Sequence, residues 1–161
     1  INELKRFDNW NMKRRLKYAK MYDEAFTGLK GIKKLPYNDE ERQNSYWWYP
    51  IILDETVVDI DAANFCKALQ AKNIPCYGIQ WPEAYLEAAY RDRCGFGTVN
   101  FPFNSTEYTN PASVEYTKVL CPKARSLRAV TFSLFLHPTW EVEHIEACIA
   151  GVKAVIAEHT K

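Results

Sequence analysis

Apolar and polar positions along the chain fall into stretches of different period. Leu16, Ala19, Tyr22, Phe26 and Leu29 recur at spacings of three and four, which predicts a helix capped by Asp8 or Asn9 and ended by Gly31. Lys33 to Asn44 is polar and holds Pro36 and Asn38-Asp39, so it reads as a loop. Tyr46 to Leu53 is aromatic or apolar at both alternating sets of positions, which predicts a strand covered on both faces. Its Pro50 points to an edge position or a bulge. Asp59 or Asp61 caps a helix with Ala62, Phe65, Cys66 and Leu69 on one face, and Asn73 ends it in the left-handed conformation.

Cys76 to Trp81 is a second strand. Pro82 stops it and opens a helix bearing Tyr85, Leu86, Ala89 and Tyr90, closed by Gly95-Phe96-Gly97. Residues 98 to 111 have no period, so this long loop is either functional or wrapped over something. Pro111 opens a helix through Val114, Lys118 and Val119, and Cys121-Pro122 kinks or restarts it. Arg125 to Arg128 close a short helix, and Val130 to Leu136 form a buried strand that His137-Pro138 stops. Thr139 caps the last helix, Glu141 and Glu143 suit its first turn, and Val142, Ile145, Ile149, Val152 and Ile156 form its apolar stripe. Three strands among helices predict an α+β layer, a small sheet with helices packed on one face.

Composition narrows the picture. The 161 residues suffice for one domain with a core, and 47% of them are hydrophobic, which excludes a disordered tail. Aromatics make up 14%, a load that leans towards an interface as well as a core. A net charge of +1 gives no ground for nucleic acid or an anionic membrane, and Lys13 to Lys17 reads as a solvated helix face. Five cysteines without a C-x-x-C pair argue against a disulfide framework or zinc site, and for a reducing compartment. There is no signal peptide and no apolar run of about 18 residues. The chain opens on Ile1 and enters a helix almost at once, as a piece of a longer protein would.

The stretch Cys121 to Lys161, with its "CP-x-A" helix, strand, "HP" turn and long final helix, resembles the end of the DegT/DnrJ/EryC1/StrS sugar aminotransferases. Three further patterns resemble the same family. They are Arg15, Ala19, Tyr22, Phe26 and Leu29; Tyr49-Pro50-Ile51; and Phe65, Leu69 and Ile74. The resemblance implies the small C-terminal domain of a fold-type I enzyme that uses pyridoxal phosphate (PLP). In that domain a mainly antiparallel three-stranded sheet carries helices on one face, and residues 1–30 form the helix leading into it. It implies a cytoplasmic homodimer whose large domain lies upstream. Its reaction moves an amino group from glutamine or glutamate to a keto-sugar or keto-cyclitol.

The chemistry this family needs is a Schiff-base lysine, an acid against the pyridine nitrogen and a phosphate cradle. None is recognised here: Lys13, Lys17, Lys20, Lys67, Lys118 and Lys153 lie on expected helix faces or in loops, and no glycine-rich phosphate loop occurs. No PLP is therefore expected on this segment, which alone should not transaminate. The resemblance places one wall of the substrate pocket at Gln80, Trp81, Glu83 and Tyr85. Gln80-Trp81-Pro82 replaces a "H-Y-P" pattern of nucleotide-sugar members, which fits the cyclitol-ketone branch better. Trp81 offers a flat face and one N–H, and Gln80 and Glu83 offer partners for hydroxyls; equally, Trp81 fits a core position and Glu83 a helix N-terminus. Arg125 and Arg128 suit a substrate anion or a helix end, and His144 with Cys148 have metal-like spacing without further ligands nearby. Two other functions remain in view: a free-standing interaction module docking through Tyr46 to Tyr49, and the small domain of a PLP-dependent sugar dehydratase.

Overall fold

The computed structural model describes residues 1–98, 100–107, 116, 118 and 121–161. The chain divides into two compact units, one of Ile1–Ile79 with Leu127–Lys161 and one of Gln80–Ser126.

In the first unit α1 (Asn2–Arg6) runs through a π-helical segment, Phe7–Met12, into α2 (Lys13–Phe26). Asp8 and Asn9 lie inside this helical run, so neither caps α2; the expected helix starts earlier because its backbone bonds continue unbroken. The helix also ends before Gly31, at Thr27, which turns extended. Gly31 has another duty. Its φ is +94, and a Cβ there would lie 2.9 Å from Ile156 Cγ2.

β1 (Ile32–Lys34), β2 (Trp48–Leu53), β3 (Cys76–Gly78) and β4 (Thr131–Phe135) form an antiparallel sheet of order β1-β2-β4-β3. The fold is α+β, and one strand joins the three expected from sequence. β1 falls at the start of the supposed loop, where Ile32 pairs with Leu53 and Lys34 with Ile52, with a bulge between them. β2 begins later than expected, because Tyr46 takes a φ of 49. Pro50 sits where β2 pairs with Ser133 of β4, beyond the reach of short β1, so its missing N–H breaks no ladder on that side.

The core gathers on one sheet face. Tyr49, Ile51 and Leu53 of β2, Phe132 and Leu134 of β4, and Cys76 of β3 are buried with Tyr18, Tyr22 and Phe26 of α2. Phe65, Cys66 and Leu69 of α3 (Ala62–Ala71) join them, with Ile145, Cys148, Val152, Val155 and Ile156 of α6 (Val142–Glu158). Asp61 caps α3 by accepting from the Asn64 N–H at 2.8 Å, and Asn73 follows with a φ of 60, both as expected. α6 is capped by Glu141, not Thr139. His144 returns its ring nitrogen to the Glu141 N–H in a reciprocal box, while Thr139 hydrogen-bonds to His137. Helix α6 approaches its neighbours closely at Gly151, where a Cβ would meet Ile74 Cγ1 at 2.7 Å. Its far end is stitched down: Asp59 N–H donates to the His159 carbonyl at 3.0 Å and Lys161 N–H to that of Val57 at 2.9 Å.

The second unit has less regular structure. The strand expected to reach Trp81 ends at Gly78, and Pro82 starts no long helix. A 3-10 turn (Ala84–Leu86) and a four-residue α4 (Ala88–Arg91) stand there instead. Phe96 and Phe101 pair as an isolated bridge, packed so closely that a Cβ on Gly95 would lie 2.2 Å from the Phe101 carbonyl. Tyr90, Phe103 and Tyr116 form a ring cluster with centroids 6.0 to 6.5 Å apart. The helix expected from Pro111 falls mostly on residues outside those described. α5 (Pro122–Val130) runs straight into β4, two residues further than the Arg125 to Arg128 helix end expected.

Candidate functional site

The four residues expected to line a pocket fall in the second unit, and they have different environments. Gln80 is exposed, and Trp81 is 70% exposed, so its indole is not a core residue. Glu83 is the opposite case. Its side chain is only 5% exposed, and Oε1 accepts a hydrogen bond from Arg125 Nε at 2.8 Å. A buried carboxylate needs such a partner, since burial unpaired is costly. The Glu83 carbonyl also accepts from Leu86 N–H, closing the 3-10 turn that carries Tyr85. Hydrogen bonding and the charge of Glu83 raise the Arg125 guanidinium further above its ordinary value, and Tyr85 hydrogen-bonds the same group. The structure thus brings Glu83, Tyr85 and Arg125 together around one half-exposed cation. Glu83 supports Arg125 rather than standing ready for a ligand hydroxyl through that oxygen. Arg128, the other arginine of the segment, donates from Nε to the Ile79 carbonyl at 3.1 Å within the first unit.

The first unit presents a second candidate surface, on the sheet face away from the core. Sequence alternation predicted cover on both faces of β2, yet Trp48 and Ile52 are only half-buried and Pro50 is exposed. Trp48, Tyr77 and Phe135 form a three-ring cluster there, with centroids 4.6 to 4.9 Å apart in edge and tilted contacts. Trp47, 68% exposed, leans on Trp48 at 5.5 Å. The left-handed Tyr46 directs the chain here. Its carbonyl accepts from Arg15 Nη1 at 2.8 Å, its hydroxyl from Asn38, and its ring stacks on Tyr49.

An open cavity of about 590 Å³ lies beside β1, lined by Thr27, Lys33, Lys34, Tyr37 and Arg42 among others. Sequence reading passed over it, because Lys33 and Lys34 looked like loop charges. The bulge in β1 is what the sequence did not announce. Arg42 donates from Nε to Asp39 at 3.1 Å and stacks on the Tyr37 ring, and this pairing holds the Asp39 carboxyl below its ordinary range.

These surroundings do not fit PLP. Every lysine of the chain stands at an exposed position, whereas a Schiff-base lysine is held in an enclosed site. The cavity beside β1 has no carboxylate in its lining to face a pyridine nitrogen. Nor do His144 and Cys148 act together: the first completes the α6 cap and the second is buried in the core. Among the described residues no group of three or more His, Cys, Asp or Glu side chains gathers for a metal, and no helix is long and apolar enough to cross a membrane.

The family model described as the DegT/DnrJ/EryC1/StrS aminotransferase family matches residues 1–124. The stretch Cys121 to Lys161, which resembles the end of that family, lies almost wholly beyond the match. Solved structures are similar over nearly the whole chain. The aminotransferase TlmJ from Streptoalloteichus hindustanus matches at 19% identity and a TM-score of 0.69, covering 97% of this chain and 34% of its own. An aminotransferase from Psychrobacter cryohalolentis matches at 17% and 0.70, covering 98% and 37%. DesV from S. venezuelae, solved with a ketimine intermediate, matches at 20% and 0.68, covering 95% and 33%. The chain therefore spans about a third of the length of these proteins. No curated protein matches it.

Proposed function

Because this chain belongs to the DegT/DnrJ/EryC1/StrS aminotransferase family, we propose that residues 1–161 are the C-terminal small domain of a PLP-dependent sugar or cyclitol aminotransferase. The observation that carries this reading is the family match over residues 1–124. The whole enzyme moves an amino group from glutamine or glutamate to a keto-sugar or keto-cyclitol. It works as a cytoplasmic homodimer, and PLP with its lysine belongs to a large domain outside these residues.

In this reading the present chain contributes binding and closure. Gln80, Trp81 and Tyr85 form one wall of the substrate pocket: the indole meets the C–H face of a ring, and Gln80 matches hydroxyls. Glu83 holds Arg125 in place at that wall. The exposed rings Trp47 and Tyr77, with the half-buried Trp48 between them, supply a surface on which the large domain packs. The same rings favour a second reading, a free-standing interaction module.

Titrating this chain with PLP, followed by borohydride trapping and mass spectrometry, tests the assignment. No specific adduct should form. The chain extended by its upstream coding sequence should trap PLP on one lysine and transaminate. A stoichiometric adduct on a lysine of residues 1–161 would overturn the reading. An upstream histidine in place of the lysine would turn it towards sugar dehydration, and a start codon at the domain edge would favour the module.

A further inference from the structure

Three of the five cysteines are buried, and two of them meet. Cys66 lies on the core face of α3 and Cys76 on the core face of β3, with the tight turn at Asn73 between these elements. The Cys76 Sγ donates to the Cys66 carbonyl oxygen at 3.6 Å, which sets the two residues against each other in the core. Gln70 closes the same joint by donating to the Cys76 carbonyl at 3.1 Å. Cys148 of α6 is buried in the same core.

We propose that Cys66 and Cys76 are a reversible thiol pair, which small peroxides convert into a disulfide joining α3 to β3.

The two thiols have unequal roles. The hydrogen bond from Cys76 brings the Cys66 thiol below its ordinary value, while the same bond, with burial, pushes Cys76 up. Burial likewise raises Cys148. Cys66, the more accessible of the two at 5% exposure against 1%, is therefore the attacking sulfur and Cys76 the resolving one. In the first step the Cys66 thiolate attacks one oxygen of hydrogen peroxide. An S–O bond forms, the O–O bond breaks, and the departing hydroxide takes up the proton that the Cys66 thiol released on ionising and leaves as water. In the second step the Cys76 sulfur attacks the sulfenic sulfur. The S–S bond forms, the S–O bond breaks, and the hydroxyl leaves with the Cys76 proton as a second water. Two thiols lose two electrons to one peroxide. Cys66 at 5% exposure and Cys76 at 1% admit only small oxidants, which separates this pair from the exposed Cys94 and Cys121. The bridge would fix the edge strand β3 just before Gln80, where the proposed substrate wall begins. The thiol chemistry itself does not depend on that assignment.

Native protein treated with hydrogen peroxide, then alkylated and digested without reductant, tests this. The Cys66 and Cys76 peptides should appear joined, Cys148 should remain alkylatable after unfolding, and the melting temperature should rise by several degrees and fall back with dithiothreitol. Cys76→Ser should trap a sulfenic acid on Cys66 that dimedone labels, and Cys66→Ser should give no bridge. The wild-type peptide map stands even where a variant folds poorly. Free Cys66 and Cys76 after Cys94 and Cys121 are fully oxidised, or a bridge from Cys66 to Cys148, would overturn the proposal.

Discussion

The two faces of the sheet in the first unit are both aromatic, but they use their rings differently. On the inner face Tyr49, Phe132 and Leu134 are fully buried between the strands and helices α2, α3 and α6. On the outer face Trp48, Tyr77 and Phe135 pack on one another and stay partly open to water. The difference teaches that a ring's contribution depends on what lies behind it. An inner ring loses all its water on folding and leaves a void when removed. An outer ring keeps much of its water until something docks on it.

Paired truncations should separate the faces most strongly. Phe132→Ala is expected to cost about 3–5 kcal/mol in a urea unfolding curve. Phe135→Ala, on the same strand but the other face, should cost about 1 kcal/mol. Equal losses would break the comparison.

The close approach at Gly151 offers a smaller test of how tightly the inner layer is packed. Gly151→Val forces a branched side chain into Ile74 and should destabilise by about 2 kcal/mol, read from the urea midpoint. No loss would mean that α3 and α6 can separate freely.

Alkaline pH acts on the same layer. Burial raises the Tyr22 and Tyr49 hydroxyls above their ordinary value, with the bond to Asp23 adding to it for Tyr49. An unfolded tyrosine ionises near ~10, before the folded one does. Stability from these groups is thus fully present below about pH 10 and is lost as pH rises beyond it. The urea midpoint should fall as pH rises above about 10, and Tyr22→Phe should flatten the fall. A midpoint with the same slope in the variant would remove Tyr22 from this account.

The smallest effect expected is at the start of α3. Asp61→Ala removes the cap on the Asn64 N–H and should cost about 1 kcal/mol by thermal or urea unfolding. A larger loss would show that the end of α3 also anchors the inner face.

Much of the fold was legible because burial imposes a period. The stripes of α2, α3 and α6 and the apolar runs of β2 and β4 are repeats that local sequence displays. Features decided by distant partners were not. β1 is three residues, two of them lysine, and exists because β2 lies beside it. The α6 cap is a local exception: Glu141 takes it instead of Thr139 because His144, three residues on, completes a capping box. The outward step at Trp47 rests on a left-handed Tyr46 held by Arg15 and Asn38, which no local pattern signals. At the expected pocket wall, sequence named Glu83 and Arg125 separately and did not show that they pair. Glu83 is buried because Arg125, 42 positions later, comes to it.

The stitching of His159 and Lys161 to residues 57–59 holds the segment after α6 in place. The last residues of most domains fray, and their amides trade hydrogen for deuterium within moments. Here Lys161 donates its N–H to Val57, and its side chain reaches the Glu55 carbonyl at 2.7 Å. These bonds tie residues 159–161 to the segment that links β2 to α3. The Lys161 amide should therefore hold its proton longer than that of Glu3, whose helix packs no buried residue.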